Sequence, residues 1–251
     1  MLIELAERRA LPDAVIRQGI RRLLGRRLDD AQRAAANDPA ARRANIRALF
    51  ADGSIAEATD AANRQHYEAP TELFQLMLGP RLKYSGCLWE DGVDQLDEAE
   101  ETMLRLTCRR ADVRDGHRIL DLGCGWGSMA LWLAETHPQS QILAVSNSRS
   151  QHDYIVDQAR RRGLANLSHA VVNVGDLDSP ADAVRQLLPD HDGESSSEQA
   201  PVRFDRVVSV EMFEHMRNID KLLDCLASVM QPQGKLLIHM FCHRRWFYPF
   251  V

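Results

Sequence analysis

The sequence predicts an α/β protein built on a parallel, doubly wound sheet, and three observations support this fold class. Short apolar runs alternate with helical segments of about 10–15 residues in the second half of the chain. Such alternation is typical of strands that pair in parallel through helical crossovers. A glycine-rich turn joins the first apolar run to the helical segment that follows it. The length of 251 residues suits one well-buried domain with an appendage better than two full domains.

The predicted elements that surround the sheet begin near residue 70. Pro70 and Thr71 can open a helix that Gly79 and Pro80 would end. The predicted helices cover 70–78, 96–110, 128–136, 150–162 and 219–230. The predicted strands cover 117–122, 141–146, 167–172, 204–210 and 235–241. The polar, serine-rich segment 190–201 lacks periodicity and is predicted to be a mobile surface loop.

Residues 1–62 are predicted to form a helical extension in front of a main domain at 63–251. Arginines accompany apolar residues at helical spacing, namely Val15, Ile16, Ile20, Leu23, Leu24 and Leu28. One interpretation is a basic amphipathic helix that lies on an anionic membrane as a peripheral contact. The alternative is a helix that packs on the main domain and keeps its arginines in solvent. The sequence predicts no oligomeric state.

Composition and charge exclude several classes of protein. The 31 basic and 36 acidic residues give a formal charge of −5, which argues against nucleic acid as a partner. The five cysteines are widely spaced and indicate neither a disulfide framework nor a metal site. The first residues include acids where a signal peptide would be apolar, and no stretch approaches 18 apolar residues. We therefore expect a cytoplasmic protein.

The first predicted strand runs through Asp121 into a loop with three alternating glycines, Gly123, Gly125 and Gly127. Glycine permits positive φ and close approach of the backbone to a ligand. Ligands of such sheets bind beyond the carboxyl ends of the strands. The dinucleotide fingerprint G-x-G-x-x-G/A is not met, because Ser128 fills the last position. The loop therefore favours a nucleoside ligand without phosphate, with a nicotinamide cofactor as the alternative.

Five segments in consistent order narrow the interpretation. They are HYEAPTELFQLMLGPRLKYSGCLW, ILDLGCGWGSMALWLAE, AVSNSRSQ, FDRVVSVEMFEHMRN and GKLLIHMFCH. Together they resemble the cyclopropane-fatty-acid-synthase-like group of class I methyltransferases, most closely its coclaurine N-methyltransferase branch and bacterial relatives. The resemblance spans about residues 63–248, apart from 190–201. It implies a Rossmann-like class I fold, S-adenosyl-L-methionine as cofactor, and a small amine or an unsaturated lipid as methyl acceptor.

The resemblance also implies where the cofactor binds. The Tyr-Ser pair that closes over the cofactor in the family corresponds to Tyr84 and Ser85. Family members usually carry one acid after the second strand and another after the third. Polar residues replace both acids here, and after the third strand Asp176 is the alternative to Asn173. The expected cofactor-binding residues are Tyr84, Ser85, Asp121, Gly123, Gly125, Ser146, Asn147, Gln151, Asn173 and Val174. Trp126 is interpreted as a packing aromatic.

The end of the predicted fourth strand carries candidate acid–base residues, Glu211, Glu214 and His215. A lysine-like amine has a pKa of about 10.4, so only about 0.04% is neutral and nucleophilic at pH 7. A positioned base would remove the proton, and the matching residues of coclaurine-type enzymes have this role. The alternative is that one of the three caps the next helix while the others are solvated.

The choice between amine and lipid rests on a few positions. Cyclopropane synthases hold a bicarbonate with residues of which Glu214 and His239 are matched here, whereas Gly86 replaces a cysteine and Cys87 follows it. We therefore expect amine N-methylation, with cyclopropane-fatty-acyl-phospholipid-type modification as the alternative. Family members continue with two further strands, so we expect the C-terminal strands to be missing. A cofactor-binding protein without turnover is the third hypothesis.

Overall fold

The structure is a computed structural model, and it describes residues 2–8, 10–37, 39–51, 53–56, 71–188 and 203–244. The chain divides into two compact units, Met1–Leu49 with Cys242–Val251, and Phe50–Phe241. The predicted boundary at residues 62 and 63 and the predicted loop at 190–201 lie outside the described residues. None of the helices in the described ranges combines the length and the apolar character needed to cross a membrane.

The N-terminal region is helical as predicted as far as Ala51. Its helices are α1 (Leu2–Glu7), α2 (Asp13–Asn37) and α3 (Pro39–Ala51). The apolar side chains of α2 are largely exposed, Leu23 by 65%. The prediction of helix through residue 62 is wrong at 53–56, because Gly53 adopts a φ of 92° and Ile55 is fully buried in the core of the second unit.

The second unit contains the sheet and the helices that cover it. The strands are β1 (Arg118–Leu122), β2 (Gln141–Ser146), β3 (Leu167–Val171), β4 (Phe204–Val210) and β5 (Met230–His239). The helices are α4 (Thr71–Met77), α5 (Leu96–Arg110), α6 (Ser128–Thr136), α7 (Arg149–Arg162), α8 (Pro180–Leu187) and α9 (Ile219–Val229). All four strand pairs are parallel and the order is β3-β2-β1-β4-β5, which confirms the doubly wound α/β class.

Alternate side chains of the strands enter two apolar layers. Leu120 and Leu122 face a layer with α8 and α9, whereas Ile119 faces a layer with α5, α6 and α7. This follows from the two-residue period of a strand, which sends successive side chains to opposite faces. Both faces are covered, as expected for a parallel sheet.

Two elements differ from the prediction by more than two residues. Helix α8 was not predicted, because it is only eight residues long and its buried residues are Ala183 and Leu187 alone. Strand β5 begins at Met230 rather than at Lys235, since Met230 pairs with Phe204 ahead of an irregularity in the register. The predicted strand start therefore marked where regular pairing resumes, at Lys235 opposite Arg206.

The sheet order determines where a ligand can bind. The chain moves outward from β1 through β2 to β3 and then returns to β4 on the other side of β1. The strand order thus reverses between β1 and β4, and ligands of open α/β sheets bind at this switch point, beyond the carboxyl ends of the strands. The loops after β1 and β4 are the ones that flank it.

Candidate functional site

The loop after β1 adopts a conformation that its glycines permit. Gly123, Gly125 and Gly127 have φ values of 79°, 54° and 78°. A Cβ atom on Gly123 would lie 2.7 Å from Met212 Cγ, and one on Gly127 would lie 2.7 Å from Ile155 Cγ1. A Cβ on Gly125 would meet nothing within 4 Å. The outer two glycines are thus required for packing, and the middle one leaves open space where a ligand could approach the backbone.

The loops after β1 and β4 lie side by side. The buried side chain of Met212 reaches the position where Gly123 has no Cβ. Ser209 Oγ donates to the carbonyl oxygen of Leu122 at 2.9 Å, which ties the ends of the two strands together. The glycine loop is therefore adjacent to the segment that carries the predicted acid–base residues.

Asp121 stands next to the end of β1 and is almost completely buried, with 2% of its surface exposed. Its Oδ2 atom has no hydrogen-bond partner among the described residues. Burial raises the pKa of Asp121 to about 7, although the backbone N–H of Ala130 and the charge of Lys83 act in the opposite direction. A carboxyl group in this state is suited to receive a cationic or N–H group of a ligand.

The residues after β2 form a small hydrogen-bonded group. Ser146 Oγ lies 2.6 Å from Gln151 Oε1 and accepts from the backbone N–H of Ser148 at 3.0 Å. Ser148 is the N-cap of α7. The Gln151 side chain is 2% exposed, and its Nε2 has no partner within the described ranges. Ser146 and Gln151 are thus brought together, with the half-buried Asn147 between them in sequence.

The residues after β3 form a short 3-10 turn, Val174–Asp176. Asn173 Oδ1 accepts from the backbone N–H of Gly175 at 3.1 Å, and Asn173 Nδ2 lies 3.2 Å from Asp176 Oδ1. The two residues that the sequence offered as alternatives are therefore bonded to each other. Val174 is buried, and Asn173 caps the turn, so the side-chain oxygen of Asn173 already has a backbone partner.

The Tyr-Ser pair is held close to the glycine loop by an aromatic cluster. Trp126 is buried and packs on Phe74 and Tyr154 with ring centroids 5.0 and 5.6 Å apart. Leu82 belongs to the same cluster. Tyr84 contacts Phe74 edge-to-face at 5.3 Å and is half exposed. Trp126 therefore fixes the 82–85 segment beside the loop, which agrees with its interpretation as a packing residue.

Sequence reasoning missed two charged residues of this region, Lys83 and Glu100. Glu100 is fully buried on α5, and its carboxylate accepts from the backbone N–H groups of Arg81 and Lys83, both at 3.0 Å. The Lys83 side chain is 5% exposed, and its Nζ donates to Ser85 Oγ at 2.5 Å. The sequence did contain one signal for this group. Glu100 is an acid that lies between Leu96 and Leu104 on the apolar face of a predicted helix.

Glu214 has an unusual environment. It lies in a 3-10 turn, Phe213–His215, after β4. Both carboxylate oxygens are enclosed and make no hydrogen bond of standard geometry within the described part of the chain. Burial raises the pKa of Glu214 and the charge of Glu211 adds to this, while the backbone N–H groups of Glu214 and Phe241 act in the opposite direction. Its proton affinity is therefore higher than that of an exposed glutamate.

The neighbours of Glu214 differ from one another. Glu211 is partly exposed, has a φ of 52°, and donates its N–H to the carbonyl oxygen of His239 at 2.6 Å. His215 is exposed, so it does not share the enclosed environment of Glu214. The alternative that one of the three caps the next helix is wrong, because Asn218 caps α9 by accepting from the N–H of Lys221 at 3.0 Å.

Similarity to known proteins is consistent along the chain. A (S)-coclaurine N-methyltransferase of Thalictrum flavum subsp. glaucum is 33% identical over 98% of this chain. A cyclopropane-fatty-acyl-phospholipid synthase of Escherichia coli (strain K12) is 31% identical over 70% of the chain. The chain spans 63% of the first relative and 39% of the second.

Solved structures show the same relationship. The crystal structure of coclaurine N-methyltransferase bound to N-methylheliamine and SAH superposes with a TM-score of 0.82 at 32% identity, covering 98% of this chain and 65% of that one. Mycolic acid cyclopropane synthase CmaA1, complexed with SAH and CTAB, has a TM-score of 0.57 at 20% identity, covering 72% and 56%, and shows the fold alone.

These similarities confirm the α/β methyltransferase fold and the resemblance found in the sequence. A family model described as mycolic acid cyclopropane synthetase matches residues 56–188, a range that contains the glycine loop and the first three strands. Since this match covers more than half of the residues, the chain belongs to the mycolic acid cyclopropane synthetase family.

Proposed function

We propose that this chain is an S-adenosylmethionine-dependent methyltransferase that methylates the nitrogen of a small amine. The observation that carries the proposal is Glu214, whose enclosed carboxylate makes no hydrogen bond of standard geometry among the described residues and lies two positions after Met212, the residue that contacts Gly123. A buried polar group without a partner costs free energy. The ammonium of a substrate would supply that partner. N-methyltransferase relatives at 31–33% identity support this choice of acceptor.

Unpartnered polar atoms around the glycine loop fit S-adenosylmethionine. In the loops after β1 and β2, the buried atoms without a hydrogen bond of standard geometry to a described residue include Asp121 Oδ2, Trp126 Nε1, Ser128 Oγ and Gln151 Nε2. A carboxylate accepts from an amino group and an amide nitrogen donates to a hydroxyl oxygen, so both ends of the cofactor find complementary atoms. In this proposal Asn147, Asn173 and Val174 border the adenosine part, and Tyr84 closes over it.

The acid–base residues divide the work of the reaction. The cofactor, when bound, supplies an electrophilic methyl group on a sulfonium. Glu214 binds the substrate ammonium and accepts its proton. Without a base, deprotonation of a lysine-like amine at pH 7 costs roughly 4.6 kcal/mol. The neutral nitrogen attacks in line, so that an N–C bond forms as the C–S bond breaks. Glu211 raises the proton affinity of Glu214, and the exposed His215 passes the proton to water.

Lipid modification is the second candidate, because His239 lies beside the acid–base segment. The carbonyl oxygen of His239 accepts from the N–H of Glu211, so the end of β5 adjoins the residues after β4. The sequence had matched Glu214 and His239 to the bicarbonate site of cyclopropane synthases. Gly86 stands where that site has a cysteine and offers only its backbone.

A product analysis separates these candidates. The chain is incubated with methyl-labelled S-adenosylmethionine and a mixed panel of small amines and unsaturated phospholipids, and the products are identified by mass spectrometry. Labelled N-methyl amines are expected. Labelled phospholipid alone would replace the amine proposal with the lipid one. Binding of SAH without any labelled product would support the third hypothesis, a cofactor-binding protein without turnover.

The role of Glu214 is tested by Glu214→Gln, which keeps the shape and removes the basic carboxylate. We expect kcat/KM for the amine to fall by about 10²–10⁴-fold, with SAH affinity within about twofold of the wild type. Glu98→Gln, at an exposed acid on α5, is the matched control and is expected to keep wild-type turnover. Full turnover in Glu214→Gln would exclude this residue as the base.

A further inference from the structure

The Lys83 side chain is a buried ammonium with too few partners. It is 5% exposed, and its one hydrogen bond among the described residues goes to Ser85 Oγ at 2.5 Å. No carboxylate in the described part of the chain lies within 4.0 Å of its Nζ. An ammonium has three N–H donors. Burial of a charge without a close counter-charge is costly, so a ligand anion at this position would stabilise it.

The structural clamp on this segment does not use the Lys83 ammonium. The backbone N–H groups of Arg81 and Lys83 hold the segment to the buried carboxylate of Glu100, and Leu82 packs with Trp126. Each of these contacts would remain if the lysine side chain were replaced by an apolar one of similar length. These contacts therefore do not explain why the ammonium is buried.

Lys83 lies beside the glycine loop, because its neighbour Leu82 packs in one cluster with Trp126 of that loop. Burial lowers the pKa of the Lys83 ammonium, whereas Cys87, Glu211, Glu100 and Asp121 act in the opposite direction. Glu211 follows β4 and Asp121 lies at the end of β1, so the ammonium is within electrostatic reach of both strand ends. It is thus close to the glycine loop and not on a remote surface.

We propose that Lys83, together with Ser85, binds the carboxylate of the methionine part of the cofactor. The inference rests on the proposed function, because it assigns one end of S-adenosylmethionine to these residues. The ammonium can only donate, so Ser85 Oγ must accept from it. The Ser85 hydroxyl hydrogen is then available to a second acceptor. Two donors from adjacent side chains, one of them charged, match the two oxygens of a carboxylate.

Lys83→Met tests the proposal, because methionine keeps much of the length of the side chain and removes the charge. Affinity is measured by calorimetry for SAH and, by competition up to millimolar concentration, for 5′-methylthioadenosine, which lacks the amino-acid end. The buffers contain no bicarbonate, so that a small anion does not bind the ammonium. Lys235→Met is the matched control, since Lys235 is exposed on β5 and pairs with Asp112.

The expected result is a loss confined to the ligand with a carboxylate. Lys83→Met should weaken SAH binding by about 10- to 100-fold, as expected for a lost hydrogen bond between charged groups. Its affinity for 5′-methylthioadenosine and the affinities of Lys235→Met should stay within about twofold of wild type. The Tm of the ligand-free variant should be unchanged or raised, because an apolar side chain replaces a buried charge.

Other outcomes overturn the inference. Equal losses for both ligands together with a lower Tm would assign Lys83 a structural role, and unchanged SAH affinity would remove it from the site. Both of these leave the proposed methyltransferase function intact. A wild-type chain that binds neither ligand would instead contradict the proposed function itself.

Discussion

Gly125 and Gly163 have similar backbone conformations but different surroundings. Their φ values are 54° and 67°, and a Cβ on either would meet nothing within 4 Å. Gly163 ends α7, whereas Gly125 lies in the loop proposed to contact the cofactor. Alanine at either position should lower the free energy of unfolding by about 1–2 kcal/mol, the cost of a left-handed conformation for an L-residue.

Only Gly125→Ala should also weaken SAH binding, because its new methyl group would enter the space beside the loop. Denaturant unfolding gives the stability of each variant and calorimetry gives the affinity. Equal SAH affinities for the two variants would contradict a ligand position next to Gly125.

Asp121 makes stability depend on pH in a direction opposite to that of most carboxylates. Its pKa is about 7 in the folded chain against 3.8 as the ordinary value, so the folded state holds a proton that the unfolded state releases. Its contribution to stability is present below about pH 4 and is lost as pH rises through about 7. The Tm of wild type minus that of Asp121→Asn should therefore decrease from pH 5 to about pH 7 and level off above it. A constant difference across this range would show that Asp121 titrates normally.

At the scale of secondary-structure elements, Asn218 joins three parts of the second unit. Its Oδ1 caps α9, and its Nδ2 donates to the carbonyl oxygens of Ala51 and Gly53 at 3.2 and 3.1 Å. The backbone N–H of Arg217 also donates to Ile55 at 2.7 Å. The side chain thus connects the end of α3 to the segment that follows Glu214.

Asn218→Ala should lower the free energy of unfolding by about 2–4 kcal/mol, the sum of one helix cap and two hydrogen bonds. Ser179→Ala is the matched control, because Ser179 caps α8 through the N–H of Asp182 and makes no comparable bonds to another segment among the described residues. It should cost only about 1 kcal/mol. Equal losses in chemical denaturation would mean that the bonds to residues 51 and 53 contribute nothing.

At the scale of the whole molecule, ligand binding should be visible as stabilisation. A ligand that binds only the folded state raises the free energy of unfolding by about 2.7 kcal/mol at 100 times its Kd. For a unit of this size the Tm should rise by about 5–10 °C. SAH should produce this shift in thermal unfolding, and NADH at the same concentration should produce none. A shift with NADH alone would favour the nicotinamide alternative.

Much of the architecture could be predicted because the signals are local. The alternation of strands and helices follows from residue periodicity, and the elements 96–110, 128–136, 141–146 and 204–210 agree with the structure to the residue. The conformation of the glycine loop follows from the freedom of glycine itself, and its three positive φ values agree with the spacing. These features depend on neighbours within a few positions, so the sequence alone was sufficient to determine them, together with family membership.

Only the tertiary structure decided which groups lose water and which find partners. The sheet order places β4 beside β1, and this brings Met212 against Gly123 and encloses Glu214 while His215 stays exposed. The same packing buries Lys83 and Glu100, which no pattern along the chain had singled out. Desolvation and hydrogen bonding depend on residues far apart in sequence, and for that reason the charges that define this site become apparent only in the folded chain.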